Sequence, residues 1–239
     1  SLAYIGVKGG MVIVVADDPG PISSQTEQDT RHFARFSKLP VFDPASPEEA
    51  FEMISDAFDY SEKYQTPVLL RPTTRVCHGC ASIEMDGGRK KITPEGFIKD
   101  SKWVIFPRLT YQNHKKIEAR WPVLGEDFSS YRFNEVTGGG RQGIAAGGVS
   151  AAYAKEALAQ MGKCPKFLKV ATPHPFPERL ALSFLEGLDE VLVLEELDPV
   201  IERELVYLCG KHHLPVRICG IFPGGGGVPG ELAANPYRQ

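Results

Sequence analysis

The 239-residue sequence predicts an α/β protein built from two three-layer units whose sheets are mainly parallel. Short apolar runs rich in β-branched residues alternate along the chain with segments that have helical spacing and helix-capping residues. The 24 glycines and 19 prolines lie at discrete turns and form no low-complexity tract, as is typical of a chain with many short elements.

The first part of the chain, residues 1–72, has the alternation β-α-β-α-β. Three apolar runs predict its strands, at residues 11–16, 39–42 and 66–71. The first of these predicts a fully buried parallel strand, because it is continuously apolar and β-branched. Residues 23–27 predict a capped helix start, with Phe33 and Phe36 on the apolar face of that helix, and residues 46–49 predict a second helix start.

The middle of the chain, residues 77–127, is predicted to connect two units. Residues 83–92 favour a hairpin that turns at Asp86-Gly87-Gly88. Residues 107–120 are polar and basic without a clean apolar stripe, so they predict an exposed helix.

Alternation returns in the last part of the chain, over residues 138–222. Strands are predicted at residues 143–148, 167–170, 191–194 and 215–221. Helical segments separate them, and the helix that begins at Asp198-Pro199 carries Ile201, Leu205 and Leu208 on one face. These elements predict a second α/β unit.

Composition excludes several classes of protein. The net charge is −3 with no long basic block, so the sequence favours neither nucleic-acid binding nor attachment to a membrane surface. No apolar run approaches 18 residues, so no transmembrane helix is predicted. Five cysteines, an odd number, without a signal peptide favour a reducing, cytoplasmic setting. The chain also lacks an initiator methionine, and we interpret it as a piece of a longer protein.

Polar residues follow the first and third predicted strands. In open α/β sheets ligands bind outside the carboxyl ends of the strands, and those ends share one edge of the sheet. The candidate residues of a ligand cleft there are Asp18, Ser23, Ser24, Gln25, Glu27, Gln28, Asp29, Arg31, Thr73 and Arg75. A solvated loop with a well-capped helix is an equally simple interpretation of the composition.

Cys77-His78-Gly79-Cys80 has metal-ligand residue types at metal-ligand spacing. A tetrahedral site needs a second pair, and the other three cysteines are isolated along the chain. We therefore predict two free thiols and no metal site, with a bound zinc ion or a redox pair as the alternatives.

Glu195 and Glu196 end the strand predicted at residues 191–194. Paired carboxylates can perform acid–base chemistry. More often such a pair orients a loop or a subunit contact, so we interpret these two residues as a candidate interface.

Three segments together resemble a known enzyme family. They are Gly9–Gly20 with the following Ser23-Ser24-Gln25-x-Glu27-Gln28-Asp29-x-Arg31, then Pro67–Val76, and then Val191–Pro199. In this order they resemble the large (α) subunit of indolepyruvate:ferredoxin oxidoreductases, within the thiamine diphosphate enzymes. The likeness covers nearly the whole chain; its first segment is quite specific, whereas the Glu195-Glu196 motif is shared more widely.

The resemblance implies a fold for each part of the chain. Residues 1–76 would be the latter half of a pyrimidine-binding domain, residues 77–127 a connector, and residues 128–239 a transketolase C-terminal-like domain. It also implies that the loop residues named above face the cofactor or substrate cleft, where we assign them positioning roles and no proton transfer.

The resemblance further implies a reaction. Such enzymes convert an arylpyruvate, CoA and oxidised ferredoxin into an arylacetyl-CoA and CO₂, and they include a small (β) subunit. Thiamine diphosphate with Mg²⁺ and [4Fe–4S] clusters would belong to the full-length parent, held by residues outside this chain. We therefore expect the chain alone to bind none of these cofactors and to be inactive.

Other functions stay open at this point. The parent could act on pyruvate or on another 2-oxoacid. The chain could instead be a non-catalytic α/β module for subunit assembly, whose sheet edge and Glu195-Glu196 region contact another subunit. A tandem of unrelated α/β binding domains is the third alternative.

Overall fold

Two β-sheets organise the computed structural model of the chain, which describes residues 2–20, 25–85 and 93–220. The first sheet contains three short strands, β1 (Val12–Val14), β2 (Val41–Phe42) and β3 (Val68–Leu70). Strand β3 lies between β1 and β2 and is parallel to both.

The second sheet contains five strands, β4 (Glu135–Thr137), β5 (Gln142–Gly147), β6 (Lys166–Val170), β7 (Glu190–Leu194) and β8 (Arg217–Cys219). Their order across the sheet is β4-β6-β5-β7-β8. Neighbouring strands are parallel except at one edge, where β4 runs antiparallel to β6.

Eight α-helices accompany these strands in the described part of the chain. They are α1 (Leu2–Ile5), α2 (Thr30–Ser37), α3 (Pro47–Tyr64), α4 (Thr74–Cys77), α5 (Pro107–Phe128), α6 (Gly148–Met161), α7 (Glu178–Leu185) and α8 (Val200–His212). The start of α3 is as predicted, because the Ser46 hydroxyl accepts a hydrogen bond from the Glu49 amide at 3.3 Å. None of these helices is both long enough and apolar enough to cross a bilayer.

Helices cover both faces of the second sheet, because its apolar side chains alternate along each strand. Leu168, Val191 and Val193 share one buried cluster with side chains of α7 and α8. Ala146 and Phe167 share another cluster with α6. This unit therefore has three layers, with the sheet in the middle.

The first sheet is covered in the same way. Val68 and Leu70 share a cluster with α3 and with the carboxyl end of α5, whereas Val41 and Leu69 share one with α1, α2 and the middle of α5. The predicted α/β class with mainly parallel sheets is confirmed.

Strand β1 is less buried than its sequence predicts. Val14 is 59% exposed and Met11, just before the strand, is 39% exposed. The prediction of a fully buried strand is wrong because β1 lies at the edge of its sheet, where it pairs with β3 among the described residues.

Helix α2 differs from its prediction at both its start and its buried face. It begins at Thr30, with Asp29 as the cap that accepts a hydrogen bond from the Arg31 amide at 3.1 Å. Phe33 and Phe36 are 54% and 85% exposed, so they do not form its buried face. Arg31 lies on that face instead, because the carboxylates of Asp29, the cap of α2, and of Glu195, after β7, hold its guanidinium there.

Helix α5 is not the exposed helix that the sequence predicts for the connector. Ile117, Leu124 and Phe128 are each at most 1% exposed and enter the cores on both faces of the first sheet. The spacing of these three residues is helical, but two of them lie beyond residues 107–120, where an apolar stripe was absent.

The predicted hairpin at residues 83–92 falls partly outside the described residues, since residues 86–92 are not among them. Residues 83–85 are described and form no strand. The boundaries at residues 76 and 127 stay predictions.

The two sheets are joined through the backbone of β2. The Val41 amide donates to the His174 carbonyl at 2.8 Å, and the Asp43 amide donates to the Ala171 carbonyl at 2.8 Å. Because residues 171–174 follow β6, the carboxyl ends of the first sheet lie beside the carboxyl end of β6.

Candidate functional site

Six buried charged side chains meet where the carboxyl ends of the two sheets approach each other. They are Asp17, Asp29, Arg31, Asp43, Arg71 and Glu195, and we call them the ionic junction. None of these side chains is more than 3% exposed. Buried charges of this kind require partners, because an unpaired charge in the interior is costly.

Arg31 connects the first sheet to the loop after β7. Its guanidinium holds the Asp29 carboxylate, with Nε to Oδ1 at 2.8 Å and Nη2 to Oδ2 at 2.5 Å. Nη1 donates to Glu195 Oε2 at 2.9 Å, and Nη2 donates to the carbonyls of Glu196 and Asp198 at 2.8 and 3.0 Å. Burial opposes the charge, but the bonds and charges of Asp29 and Glu195 raise the pKa of Arg31.

Glu195 is held from two sides. Besides Arg31, its carboxylate accepts hydrogen bonds from the Ile201 and Glu202 amides at 2.9 and 3.0 Å, at the first turn of α8. A helix amino terminus favours a negative charge in this position. Burial nevertheless raises the pKa of Glu195, against the opposing effect of Arg31.

Arg71, directly after β3, holds the other half of the ionic junction. Its Nε donates to Asp17 Oδ2 at 2.5 Å, its Nη1 lies 3.3 Å from both Asp43 oxygens, and its Nη2 lies 3.6 Å from Asp29 Oδ1. Asp17 Oδ2 also accepts from the amide and the hydroxyl of Thr30, at 2.7 and 2.9 Å. This bonding fixes the start of α2 against the end of β1.

The ionic junction contains more negative than positive groups. Four carboxylates face two guanidinium groups, and burial raises the pKa of the Asp43 carboxyl despite the nearby Arg71. Asp17 Oδ1, Arg71 Nη2 and Thr73 Oγ1 are buried without a hydrogen-bond partner among the described residues. These unpartnered atoms include two that can donate, Arg71 Nη2 and Thr73 Oγ1, and one that accepts, Asp17 Oδ1, so they do not select a cation or an anion by themselves.

Glu196 lies beside the ionic junction and is half-buried. Burial raises the pKa of its carboxyl to about 7, with Arg71 acting against the shift. The next residue, Leu197, has a φ of 60°, a conformation that a leucine rarely adopts. The backbone here is held by Arg31 through its bonds to two carbonyls.

The structure separates the predicted cleft residues into three groups. Asp29, Arg31, Asp18 and Thr73 are buried, and the Asp18 carboxylate accepts from the Thr74 hydroxyl at 2.8 Å. The exposed ones are Gln25, Glu27, Gln28 and Arg75. Ser23 and Ser24 lie outside the described residues. The assignment of these residues to a ligand cleft stays a prediction.

The predicted interface at Glu195 and Glu196 stays a prediction. Glu195 is 2% exposed and bonded to Arg31, so it joins two parts of this chain, whereas Glu196 is half-buried. Sequence reasoning missed the partners Asp43 and Arg71. The signal that could have found them is a charged residue directly after a buried strand, as at both positions.

A second polar region is a cavity of about 940 Å³ between α5, α7 and α8. Trp121 and His174 line it, with ring centroids 4.6 Å apart. Burial, followed by the positive charges of Arg35 and Lys38, lowers the pKa of His174 to about 3. The predicted cleft residues lie outside its lining.

Metal-ligating residues come together at one place in the described part of the chain. One ligand atom each of Asp29, His32 and Asp198 lies within 4.8 Å of the others. All five cysteines are free, and Cys77 and Cys80 are exposed. No cysteine belongs to a group of three or more metal-ligating side chains among the described residues.

No protein-family model matches the chain. Indolepyruvate oxidoreductase subunit IorA of Methanothermobacter thermautotrophicus is 39% identical over 229 residues, and its namesake of Pyrococcus abyssi is 41% identical over 232 residues. These alignments cover 94% and 92% of this chain. The chain is homologous to part of IorA. It spans 37% and 35% of the two IorA sequences, about a third of their length.

The resemblance seen in the sequence motifs is thus confirmed. A solved structure of a 2-oxoglutarate:ferredoxin oxidoreductase from Magnetococcus marinus, with 2-oxoglutarate, coenzyme A and succinyl-CoA bound, also matches. Its TM-score is 0.60 at 16% identity, over 94% of this chain and 47% of that one. At this identity, the match supports the α/β fold of the IorA-like chain and nothing further.

Proposed function

We propose that this chain is part of the large subunit of a 2-oxoacid:ferredoxin oxidoreductase that acts on indolepyruvate and related arylpyruvates. The observation that carries the proposal is the identity of 39% and 41% to two IorA subunits over more than nine-tenths of the chain. The parent enzyme would oxidise an arylpyruvate with CoA to an arylacetyl-CoA and CO₂, and pass the two electrons to ferredoxin. A small (β) subunit would complete it.

Thiamine diphosphate would supply the carbanion chemistry of such a parent when bound. The described residues do not fit its diphosphate group. Both buried arginines of the ionic junction are already held by carboxylates, and the negative groups there outnumber the positive ones. We therefore assign the diphosphate and its Mg²⁺ to other parts of the parent.

Iron–sulfur clusters are held by sets of cysteine thiolates, commonly four. The described cysteines of this chain form no such set. We therefore also assign the [4Fe–4S] clusters to other parts of the parent.

The role that we propose for this chain is to position the parts of a cleft. Arg31 ties the first sheet to the loop after β7, and Arg71 ties together the strand ends of the first sheet, so the loops beyond those ends keep a fixed relation. Gln25, Glu27 and Gln28 are exposed in one of these loops, where they can face a substrate or cofactor held by the rest of the parent.

The test is an assay of the full-length parent, expressed together with a small oxidoreductase subunit from the same organism. CoA-dependent reduction of ferredoxin is measured with indolepyruvate, pyruvate and 2-oxoglutarate. We expect the highest kcat/KM with indolepyruvate. A preference for pyruvate or 2-oxoglutarate would contradict indolepyruvate as the substrate and favour an enzyme that acts on another 2-oxoacid. A folded complex that is inactive on all three substrates would favour the non-catalytic module for subunit assembly.

The isolated 239-residue chain provides a second test. We expect calorimetry with thiamine diphosphate and Mg²⁺ to give no heat of binding up to millimolar cofactor. Micromolar affinity would contradict the assignment of the cofactor to other parts of the parent.

A further inference from the structure

A histidine and two aspartates meet at the solvent side of the ionic junction. His32 Nε2, on α2, lies 3.2 Å from Asp198 Oδ2, in the loop between β7 and α8. Asp29, the cap of α2, brings a carboxylate oxygen within 4.8 Å of both ligand atoms. Ligands about 2.0–2.2 Å from one metal ion lie roughly 3–4 Å apart, so a small closure would complete the geometry.

The charge around this group favours a cation. The four carboxylates of the ionic junction outnumber its two guanidinium groups by two, and all six side chains are at most 3% exposed. Asp198 adds a further carboxylate at the rim. A bound divalent ion would offset this excess, which the first-turn amides of α8 offset at Glu195.

Arg31 already holds two of the three ligand residues, Asp29 and Asp198. Arg31 holds the Asp29 carboxylate through Nε and Nη2, and it holds the Asp198 backbone through a bond to its carbonyl at 3.0 Å. A carboxylate has about four lone-pair positions, so the bonds from Arg31 do not prevent Asp29 from also binding an ion. His32 and Asp198 are 40% and 46% exposed, which leaves room for water ligands.

We propose that Asp29, His32 and Asp198 bind one Zn²⁺ ion that fastens α2 to the loop between β7 and α8. One imidazole nitrogen and two carboxylate oxygens, completed by water, suit Zn²⁺, whereas Mg²⁺ prefers oxygen ligands and keeps most of its water. The ion would bridge the two sheets, parallel to the bond between Arg31 and Glu195. This inference does not depend on the proposed reaction.

The test compares metal binding by the chelator-treated full chain and by two variants, His32→Ala and Asp198→Asn. His114→Ala is the matched control. The His114 side chain is 46% exposed and its Nε2 lies 3.7 Å from Glu118 Oε1, so it resembles His32 beside Asp198. It belongs to no group of three metal-ligating side chains among the described residues. We expect the wild type and the control to bind one more equivalent of Zn²⁺ than the two variants, or to bind it at least tenfold more tightly. Zn²⁺ should raise the Tm of the wild type by roughly 5 °C and leave that of His32→Ala unchanged.

Co²⁺ absorption separates this site from the exposed cysteines. Binding at Asp29, His32 and Asp198 gives visible bands without thiolate charge transfer, and a Cys77→Ser/Cys80→Ser variant should keep them. Equal stoichiometry and affinity in the wild type and His32→Ala, or loss of all binding in the cysteine variant, would overturn the proposal. Far-UV circular dichroism checks that each variant folds, and His32→Gln replaces His32→Ala if it does not.

Discussion

The core of the second sheet and the ionic junction are buried to the same degree but are stabilised by different interactions. Leu168, Val191 and Leu205 are apolar and at most 1% exposed, whereas Arg31 and Glu195 are charged and at most 3% exposed. Apolar contacts are non-directional, so such a core tolerates substitutions that preserve its volume. A buried charge depends on one particular partner, and the loss of that partner leaves the other charge in the interior.

The difference teaches where the chain is vulnerable. Backbone hydrogen bonds and the ion pair of Arg31 with Glu195 join the two sheets at their carboxyl ends, where the loops of the proposed cleft begin. A substitution there should affect both stability and the relation of the two units. A substitution of similar size inside either apolar core should affect stability alone.

The largest effect is expected for Arg31→Met. The variant leaves the Asp29 and Glu195 carboxylates buried without their guanidinium partner, which destabilises proteins by about 3–5 kcal/mol. Urea unfolding monitored by circular dichroism measures the loss. The matched control is Arg35→Ala on the same helix, whose arginine pairs with Glu204 at the surface and is 67% exposed; it should cost at most about 1 kcal/mol.

A double variant tests whether the unpaired charge is the cause. Arg31→Met/Glu195→Gln removes one of the two stranded charges, and the glutamine oxygen can still accept from the first turn of α8. It should therefore be more stable than Arg31→Met alone. A loss below about 1 kcal/mol in Arg31→Met would show that the ionic junction contributes no more than a surface ion pair.

The sequence was sufficient to predict much of the apolar core of the second sheet. Residues 191–194 lie in a strand, and Ile201, Leu205 and Leu208 are on the buried face of α8, because burial follows local periodicity. The sequence did not predict the short strand β4. This strand has three residues and forms by antiparallel pairing with β6, and such a pairing leaves no local pattern in the sequence. The exposure of Val14 in β1 and of Phe33 in α2 was also not predicted, because exposure depends on which elements pack beside these residues.

The ionic junction could be predicted only in part. Asp29, Arg31 and Glu195 were singled out as polar residues in loops after strands, but the bond between Arg31 and Glu195 spans 164 positions. No periodicity in the sequence relates such residues. Arg71 and Asp43 were missed because each looks like an ordinary charged residue at the end of a strand, until β2 and β3 are placed side by side.

A smaller effect is expected at Asn134, which is buried and neutral. Its Nδ2 donates to the Phe128 carbonyl at 2.7 Å and to the Thr172 hydroxyl at 2.6 Å, and its Oδ1 accepts from the Ala171 amide at 2.6 Å. Asn134→Leu leaves these groups without partners, so we expect a loss of about 2–3 kcal/mol. That is less than for Arg31→Met, because no charge is stranded.

The control for Asn134→Leu is Gln160→Leu, an amide on α6 whose bond to Glu156 is exposed. It should change the free energy of unfolding by less than about 0.5 kcal/mol. If Asn134→Leu costs as much as Arg31→Met in the same urea titrations, charge does not distinguish the ionic junction from other buried polar contacts.

The smallest effect at neutral pH is expected for His174→Leu, since His174 is uncharged there and its Nε2 has no hydrogen-bond partner in the described structure. Burial, together with Arg35 and Lys38, lowers its pKa from 6.5 to about 3, so between these values the unfolded chain binds a proton that the folded chain does not. The free energy of unfolding should therefore fall as the pH drops through this window, with a contribution approaching about 1.4 kcal/mol per pH unit. His174→Leu should remove that contribution, and His114→Leu, at a half-buried histidine of α5, should keep it. Urea midpoints between pH 4 and pH 7 measure the slope of unfolding free energy against pH. Equal slopes in wild type and His174→Leu would mean that His174 is hydrated and titrates normally. The contact between the sheets would then be more open than the burial of its side chains indicates.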